Sequence, residues 1–440
     1  MHFLVQGACM KKVLSIFAVI ALVAVFALSF VACDDNKVES PAAKTIVFLG
    51  DSIAEALIGP SPVSERDNYG YYALVGRVNG LNYFNHSVSG HLTSGNLVDK
   101  ENGAGLLEIV SAENESASLV RTHIIRADII HISVLGNNAL QFDLGAMLME
   151  MADVNEGKTG EDRWFQACFD GAENESALKY AYDDDKDLFE YLHDGGERED
   201  GEYPIRPAIA LTEENTLIYG EKQGATDSVF NFPHTYEDIE AIVAKLRELN
   251  PTAKIVFQKV YNPVVEGTKL ISPAYKEALA QRGYDTYHEL RELAQDILDK
   301  LNGIIDEYND NHPDGKVDVL DINKAFNDYA EEDVLDGKIN LSPSGRARAL
   351  LFADYTHPSN LGHAIIASET QKLLEEWGFA STDAVAKYKQ IKCDQLDRMY
   401  APIDGFDVAG AKDAVNSATT YEDVTEAYFA RIAGYTPVNY

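Results

Sequence analysis

Ser52 stands in Thr45-Ile46-Val47-Phe48-Leu49-Gly50-Asp51-Ser52-Ile53-Ala54-Glu55-Ala56-Leu57, where an apolar, β-branched run stops at Gly-Asp-Ser and a second apolar, Ala-rich segment follows. A serine hydroxyl becomes a nucleophile only when a base takes its proton, and that base needs a carboxylate to fix its tautomer and orientation. Both are found far down the chain, in Asp354-Tyr355-Thr356-His357-Pro358-Ser359-Asn360-Leu361-Gly362-His363. Asp354 and His357 lie three apart, ahead of a helix expected to begin near Pro358. Proline suits a first helical turn and pushes the residue before it out of helical geometry. By itself Gly-Asp-Ser makes ordinary turns and caps, and Asp354 would merely cap a helix beside a surface His357. Taken together, the three side chains point to acyl transfer through a serine.

Such chemistry also needs donors for a tetrahedral oxyanion. Asn85-His86-Ser87-Val88-Ser89-Gly90-His91 follows a short strand-like patch, Leu81-Asn82-Tyr83-Phe84, and glycine there lets a backbone N–H approach a substrate oxygen closely. Ile129-Ile130-His131-Ile132-Ser133-Val134-Leu135 is a further buried strand, ending in Gly136-Asn137-Asn138. The expected donors are the Asn138 amide and the N–H groups of Gly90 and Ser52.

In the order Gly50-Asp51-Ser52, Gly90, Gly136-x-Asn138 and Asp354-x-x-His357, the chain resembles the SGNH (GDSL-like) hydrolase family. The resemblance implies a flavodoxin-like three-layer α/β/α domain with a parallel sheet and ester hydrolysis through an acyl-serine. It implies Ser52 as nucleophile, His357 as base and then acid, Asp354 as its partner, and Gly90 with Asn138 in the oxyanion hole. It covers roughly residues 44–379. Two positions depart from the family pattern: Ala139 replaces the usual Asp after the Asn, and Ile53 stands in place of Leu. The first concerns an aspartate regarded as supporting rather than catalytic.

The elements that must hold these residues read as alternating strands and helices, the signature of a parallel sheet. Residues 45–49 form a strand, and the turn and helix after it place Ser52 at a strand's carboxyl end, where open α/β sheets build their sites. Thr235 is expected to cap a helix running through Ile239, Ile242, Leu246 and Leu249. Further strands are expected at 254–260 and 317–321, with a long amphipathic helix at 285–308. From 139 to 229 the rhythm breaks down and acidic runs appear, at 183–187 and 197–202, so this stretch is expected to be an insertion. It either overhangs the site or decorates the surface. Residues 380–440 are expected to form a helical C-terminal extension. Tyr69, Tyr71 and Tyr72 suit either core packing or stacking on sugar faces.

The N-terminus is expected to act as a targeting segment. Met10-Lys11-Lys12 gives a basic start, residues 13–31 are almost wholly apolar, and Ala32-Cys33 resembles a lipobox. That resemblance implies export, cleavage before Cys33, acylation of Cys33 and attachment to a membrane, with residues 34–43 as a tether. A plain transmembrane anchor is the alternative. The net charge of −34 becomes −36 once residues 1–32, with Lys11 and Lys12, are removed. A surface of that sign repels nucleic acid, so no nucleic-acid partner is expected. Cys168 and Cys393 could pair or remain two buried thiols. Asp310-Asn311-His312-Pro313-Asp314-Gly315 has some of the composition of a calcium loop, but His312 takes a ligand position and Pro313 follows it, so a turn is expected. No histidine pair has zinc spacing and no glycine-rich nucleotide loop is present, so neither metal nor organic cofactor is expected.

The expected substrate is a small-molecule or glycan ester, with carbohydrate O-acetyl groups preferred over the long acyl chains of a lipase or lysophospholipase. A non-catalytic binding lipoprotein is the competing class.

Overall fold

Every side chain from Ile46 to Leu49 is buried, and the two-residue period of a strand decides which face each serves. Val47 and Leu49 join one core; Ile46 and Phe48 join the other. A run this continuously apolar fits a strand covered on both sides, as parallel sheets require. The computed structural model describes residues 43–57, 66–95, 104–112, 118–140, 144–158, 233–331, 343–351, 354–432 and 435. Cys33, tether residues 34–42, Cys168 and residues 141–143 and 159–229 of the expected insertion lie outside them.

The described elements run β1 (Thr45–Gly50), α1 (Arg66–Tyr69), α2 (Tyr71–Asn79), β2 (Asn82–Asn85), α3 (Leu106–Ser111), α4 (Ser118–Arg126), β3 (Ile129–Ser133) and α5 (Leu135–Leu140). They continue as α6 (Leu144–Asn155), α7 (Pro233–Leu249), β4 (Lys254–Gln258), α8 (Pro273–Gln281), α9 (Tyr287–Asn311), β5 (Asp318–Leu320), α10 (Ile322–Glu331) and α11 (Pro343–Ala349). The last are α12 (Asn360–Glu376), α13 (Ala384–Gln395), a π-helical turn (Leu396–Tyr400), α14 (Val408–Ser417) and α15 (Tyr421–Ile432). The sheet order is β2-β1-β3-β4-β5 and all pairings are parallel, which is the flavodoxin-like order.

One face of the sheet is covered by α3, α4, α6, α7, α8 and α9 through Val47, Leu49, Ile130, Ile132, Ile255 and Phe257. The other is covered by α2, α10, α12 and the C-terminal helices α13–α15 through Ile46, Phe48, Ile129, Val256 and Leu320. The result is a three-layer α/β/α architecture. Phe48 and Phe257, each fully buried, contribute roughly 1.5–3 kcal/mol apiece from burial. The long helix α9 is started by a reciprocal cap: Glu289 N–H donates to Thr286 Oγ1, and Thr286 N–H donates to Glu289 Oε2 at 2.8 Å.

Four expectations need correction. Helix α6, inside the expected 139–229 insertion, is buried from Gly145 to Asp153 and is part of the core. Thr235 is not a cap, because α7 begins at Pro233 and the Thr235 hydroxyl accepts from Asn138 instead. The helix after His357 begins at Asn360, capped by Ser359 Oγ, while Pro358 pairs with Leu351 as an isolated bridge. Ser52 is followed by a single turn rather than a helix: Glu55 N–H bonds Asp51 O, Leu57 N–H bonds Ser52 O, and Ala56 at φ +59° ends it. The sequence around His312 is a turn, as expected: α9 stops at Asn311, and Gly315 N–H closes onto His312 O ahead of β5.

Candidate active site

The turn that carries Ser52 is built by a glycine that tolerates no substitute. Gly50 has φ +148°, and a Cβ there would stand 1.9 Å from the Ser133 carbonyl oxygen. That close approach lets the Asp51 N–H bond Ser133 O at 2.9 Å, which turns the chain out of the sheet and presents Ser52 at the strand end. Ser52 is 8 % exposed. His357 arrives on a loop whose foot is closed by the Leu351–Pro358 bridge and by Ser359 N–H donating to Leu350 O. Within this loop Asp354 Oδ1 accepts from the N–H groups of Thr356 (3.0 Å) and His357 (3.1 Å). Tyr355 sits in the left-handed region at φ +62°, a strained position for an aromatic residue. The Arg348 guanidinium lies 4.1 Å over its ring, and the Tyr261 hydroxyl donates to Thr356 O.

His357 Nδ1 is 2.6 Å from Asp354 Oδ2, and His357 Nε2 is 2.8 Å from Ser52 Oγ. A carboxylate only accepts, so the imidazole proton is assigned to Nδ1, and Nε2 is left to accept from the serine hydroxyl. Burial acts to raise the Asp354 carboxyl, but the bonds from His357 and the Thr356 N–H outweigh it and hold the group below the usual carboxylate range. Asp354 therefore stays ionised through neutral pH. The structure thus brings Ser52, His357 and Asp354 into one relay.

The oxyanion side differs from expectation at one residue. Val88 N–H donates to Gly50 O at 2.9 Å, Asn85 Nδ2 donates to Ala54 O at 2.7 Å, and Gly90 (φ +85°) follows on the same loop. Among the described residues, the N–H groups of Ser52 and Gly90 donate to no backbone or side-chain acceptor. The Asn138 amide, by contrast, spends both protons: one on Thr93 Oγ1 (2.8 Å) and one on Thr235 Oγ1 (2.9 Å), while Oδ1 accepts from Thr93 N–H. It is a buried strut and offers no donor to an oxyanion. Its neighbour Asn137 gives one amide proton to His91 O, directly after Gly90, and its second makes no bond among the described residues. The sequence reading missed Asn137, because two adjacent asparagines give no basis for choosing between them. It also missed Tyr261, whose only signal was its place at the end of a strand.

Beneath the serine lies a polar cluster walled off from water. Asp51 is 1 % exposed; burial pushes its carboxyl up to about 7, against the pull of the Ile53 N–H and of His357. The Tyr71 and Tyr261 hydroxyls are held well above their usual range by burial and by the nearby Asp51. His363, fully buried and stacked on Tyr71 with ring centroids 5.9 Å apart, is pushed down to about 3 by burial and is neutral. Tyr69, Tyr71 and Tyr72 all pack in this core, so none is placed to stack on a sugar.

The native Asp51 keeps its proton to about pH 7, whereas an unfolded aspartate releases it near 3.8. Stability present at pH 4 is therefore lost as pH rises towards 7. Asp51→Asn is uncharged throughout and should escape this loss. Its stability relative to the parent should climb between pH 4 and 8, by at most about 4 kcal/mol. Denaturant titrations across that range check this; a flat difference would mean that Asp51 is ionised in the native protein.

No known family profile and no curated protein matches the chain. Among solved structures it is similar to a lipase from a goat rumen metagenome, at 13 % identity and a TM-score of 0.35 over 77 % of this chain and 99 % of that one. It is also similar to an extracellular lipase from Streptomyces rimosus, at 12 % identity and a TM-score of 0.36 over 77 % and 100 % of the two chains. A phospholipase A1 from Streptomyces albidoflavus NA297 gives 15 % identity and a TM-score of 0.33 over 73 % and 95 %. These scores are low, and the functional reading rests on the site geometry.

Proposed function

We propose that this protein is a serine ester hydrolase of the SGNH type. The observation that carries the reading is the relay of Ser52, His357 and Asp354 at 2.8 and 2.6 Å, drawn from segments 305 residues apart. Ser52 Oγ attacks the ester carbonyl as His357 Nε2 takes its proton, and His357 returns that proton to the departing alcohol. Water then gives a proton to His357 and attacks the acyl-serine; the acid leaves and Ser52 is restored. The oxyanion donors are the N–H groups of Ser52 and Gly90 and the unspent proton of Asn137. This assignment shifts the third family block by one residue. Asn138 then stands where the family carries its supporting Asp, and Leu135 replaces the block's first glycine.

The substrate class we infer is short-chain, uncharged esters, with O-acetylated carbohydrate as the leading candidate. Support comes from the net charge of −34, which disfavours anionic substrates. The apolar segment 13–31 and Ala32-Cys33 support export and an acyl anchor at Cys33. A fluorophosphonate probe should label Ser52 stoichiometrically, and turnover of p-nitrophenyl esters should fall from acetate to palmitate. Failure to label would favour a binding lipoprotein. Turnover that rises with chain length would replace the substrate class with that of a lipase.

A further inference from the structure

Glu55 lies three residues after the nucleophile, in the single turn that follows it, with its side chain 26 % exposed. Its Oε2 accepts from the Ser89 N–H at 2.8 Å and from the Ser89 hydroxyl, and its Oε1 is paired with the Arg66 guanidinium. Ser89 directly precedes Gly90. The peptide plane carrying the Gly90 N–H is therefore only two backbone dihedrals away from the N–H that Glu55 holds. Beyond Gly90 the chain is pinned again: His91 N–H donates to Val88 O at 3.2 Å, and His91 O accepts from Asn137. The loop is thus clamped on both sides of its unspent donor, and the clamp before it is anchored in the same turn as Ser52.

We infer that Glu55 is a positioning residue, fixing the Gly90 N–H relative to the Ser52 nucleophile, and that Arg66 neutralises a carboxylate that would otherwise oppose the developing oxyanion. The inference rests on the ester-hydrolase reading above. Burial acts to raise the Glu55 carboxyl, but the bonds from Ser89 and Arg66 outweigh it and keep the group ionised, as an acceptor of several donors must be. Neither side chain needs to touch substrate for this. A donor displaced by a fraction of an ångström stabilises the transition state less, while ground-state binding is little changed.

The test is a pair of measurements on Glu55→Gln and Glu55→Ala: steady-state hydrolysis of p-nitrophenyl acetate, and inhibition by a short-chain trifluoromethyl ketone, whose hemiketal carries the oxyanion. Glu55→Ala should lower kcat by roughly tenfold to a hundredfold with KM within about twofold, and the ketone Ki should rise in proportion. Glu55→Gln should fall between it and the parent, since the amide oxygen still accepts from Ser89 but the Arg66 pair is lost. If Glu55→Ala fails to fold, the near-isosteric Gln variant reads the same two constants. A raised KM with unchanged kcat, or a lowered kcat with unchanged ketone Ki, would overturn the inference. A parent protein that neither hydrolyses the ester nor binds the ketone would overturn the hydrolase reading itself, and this inference with it.

Discussion

Ser52→Ala lowers ester turnover by about 10⁴-fold or more and leaves the fold in place. The size follows from the role: without Oγ there is no acyl-enzyme, and the His357–Asp354 pair has nothing to activate except water. The intact fold follows from the site. The hydroxyl bonds His357 Nε2 at its outer end, and the turn is held by backbone bonds from Asp51, Glu55 and Leu57 that alanine leaves untouched. Residual activity is expected because the oxyanion donors remain. Turnover of a purified variant with a parental unfolding midpoint is the measurement, and near-parental turnover would sink the mechanism. His357→Ala combined with Ser52→Ala should add little to the loss, since the two act as one unit.

The second large effect separates two neighbouring asparagines. Asn137→Ala should lower kcat by roughly 10²–10³-fold with KM nearly unchanged, the signature of a donor that acts on charge present only in the transition state. Asn138→Ala should behave differently. It strips partners from the buried Thr93 N–H and from the Thr93 and Thr235 hydroxyls, and should lower stability by about 1–3 kcal/mol, with kcat of the folded fraction largely kept. Kinetics and melting curves on both variants decide the matter. The reverse pattern would return the oxyanion role to Asn138.

The parts of the site visible in the sequence are those encoded locally. A β-branched run that stops at Gly-Asp-Ser marks a strand end, and Asp354-x-x-His357 puts acid and base on one loop at a spacing that their side chains can bridge. The strand at 45–50 was legible as a short β-branched apolar run ended by turn residues, and the long helix at 287–311 by its amphipathic period. Helix α6 was not, because Gly145-Ala146-Met147-Leu148-Met149-Glu150-Met151 is buried all round and so shows no amphipathic period. The expected helix after Ser52 failed at Ala56. Ala54-Glu55-Ala56 has high helix propensity, but the left-handed backbone at Ala56 that ends the turn is set by tertiary context. Asn137, Glu55 and Tyr261 were invisible because each acts through a contact with a distant loop, which no local pattern records.

The order of the relay along the chain has a consequence for biosynthesis. Ser52 is made near the start of the domain, and His357 comes 305 residues later, after the five described strands have been laid down. A nascent chain that has not reached His357 contains a serine with no base to take its proton. Because Asp354 and His357 travel on the same short loop, seating that loop against the end of β1 brings both side chains to Ser52 together. On the proposed mechanism, the Ser52 hydroxyl therefore gains its activating partner only after the described strands of the sheet have been made.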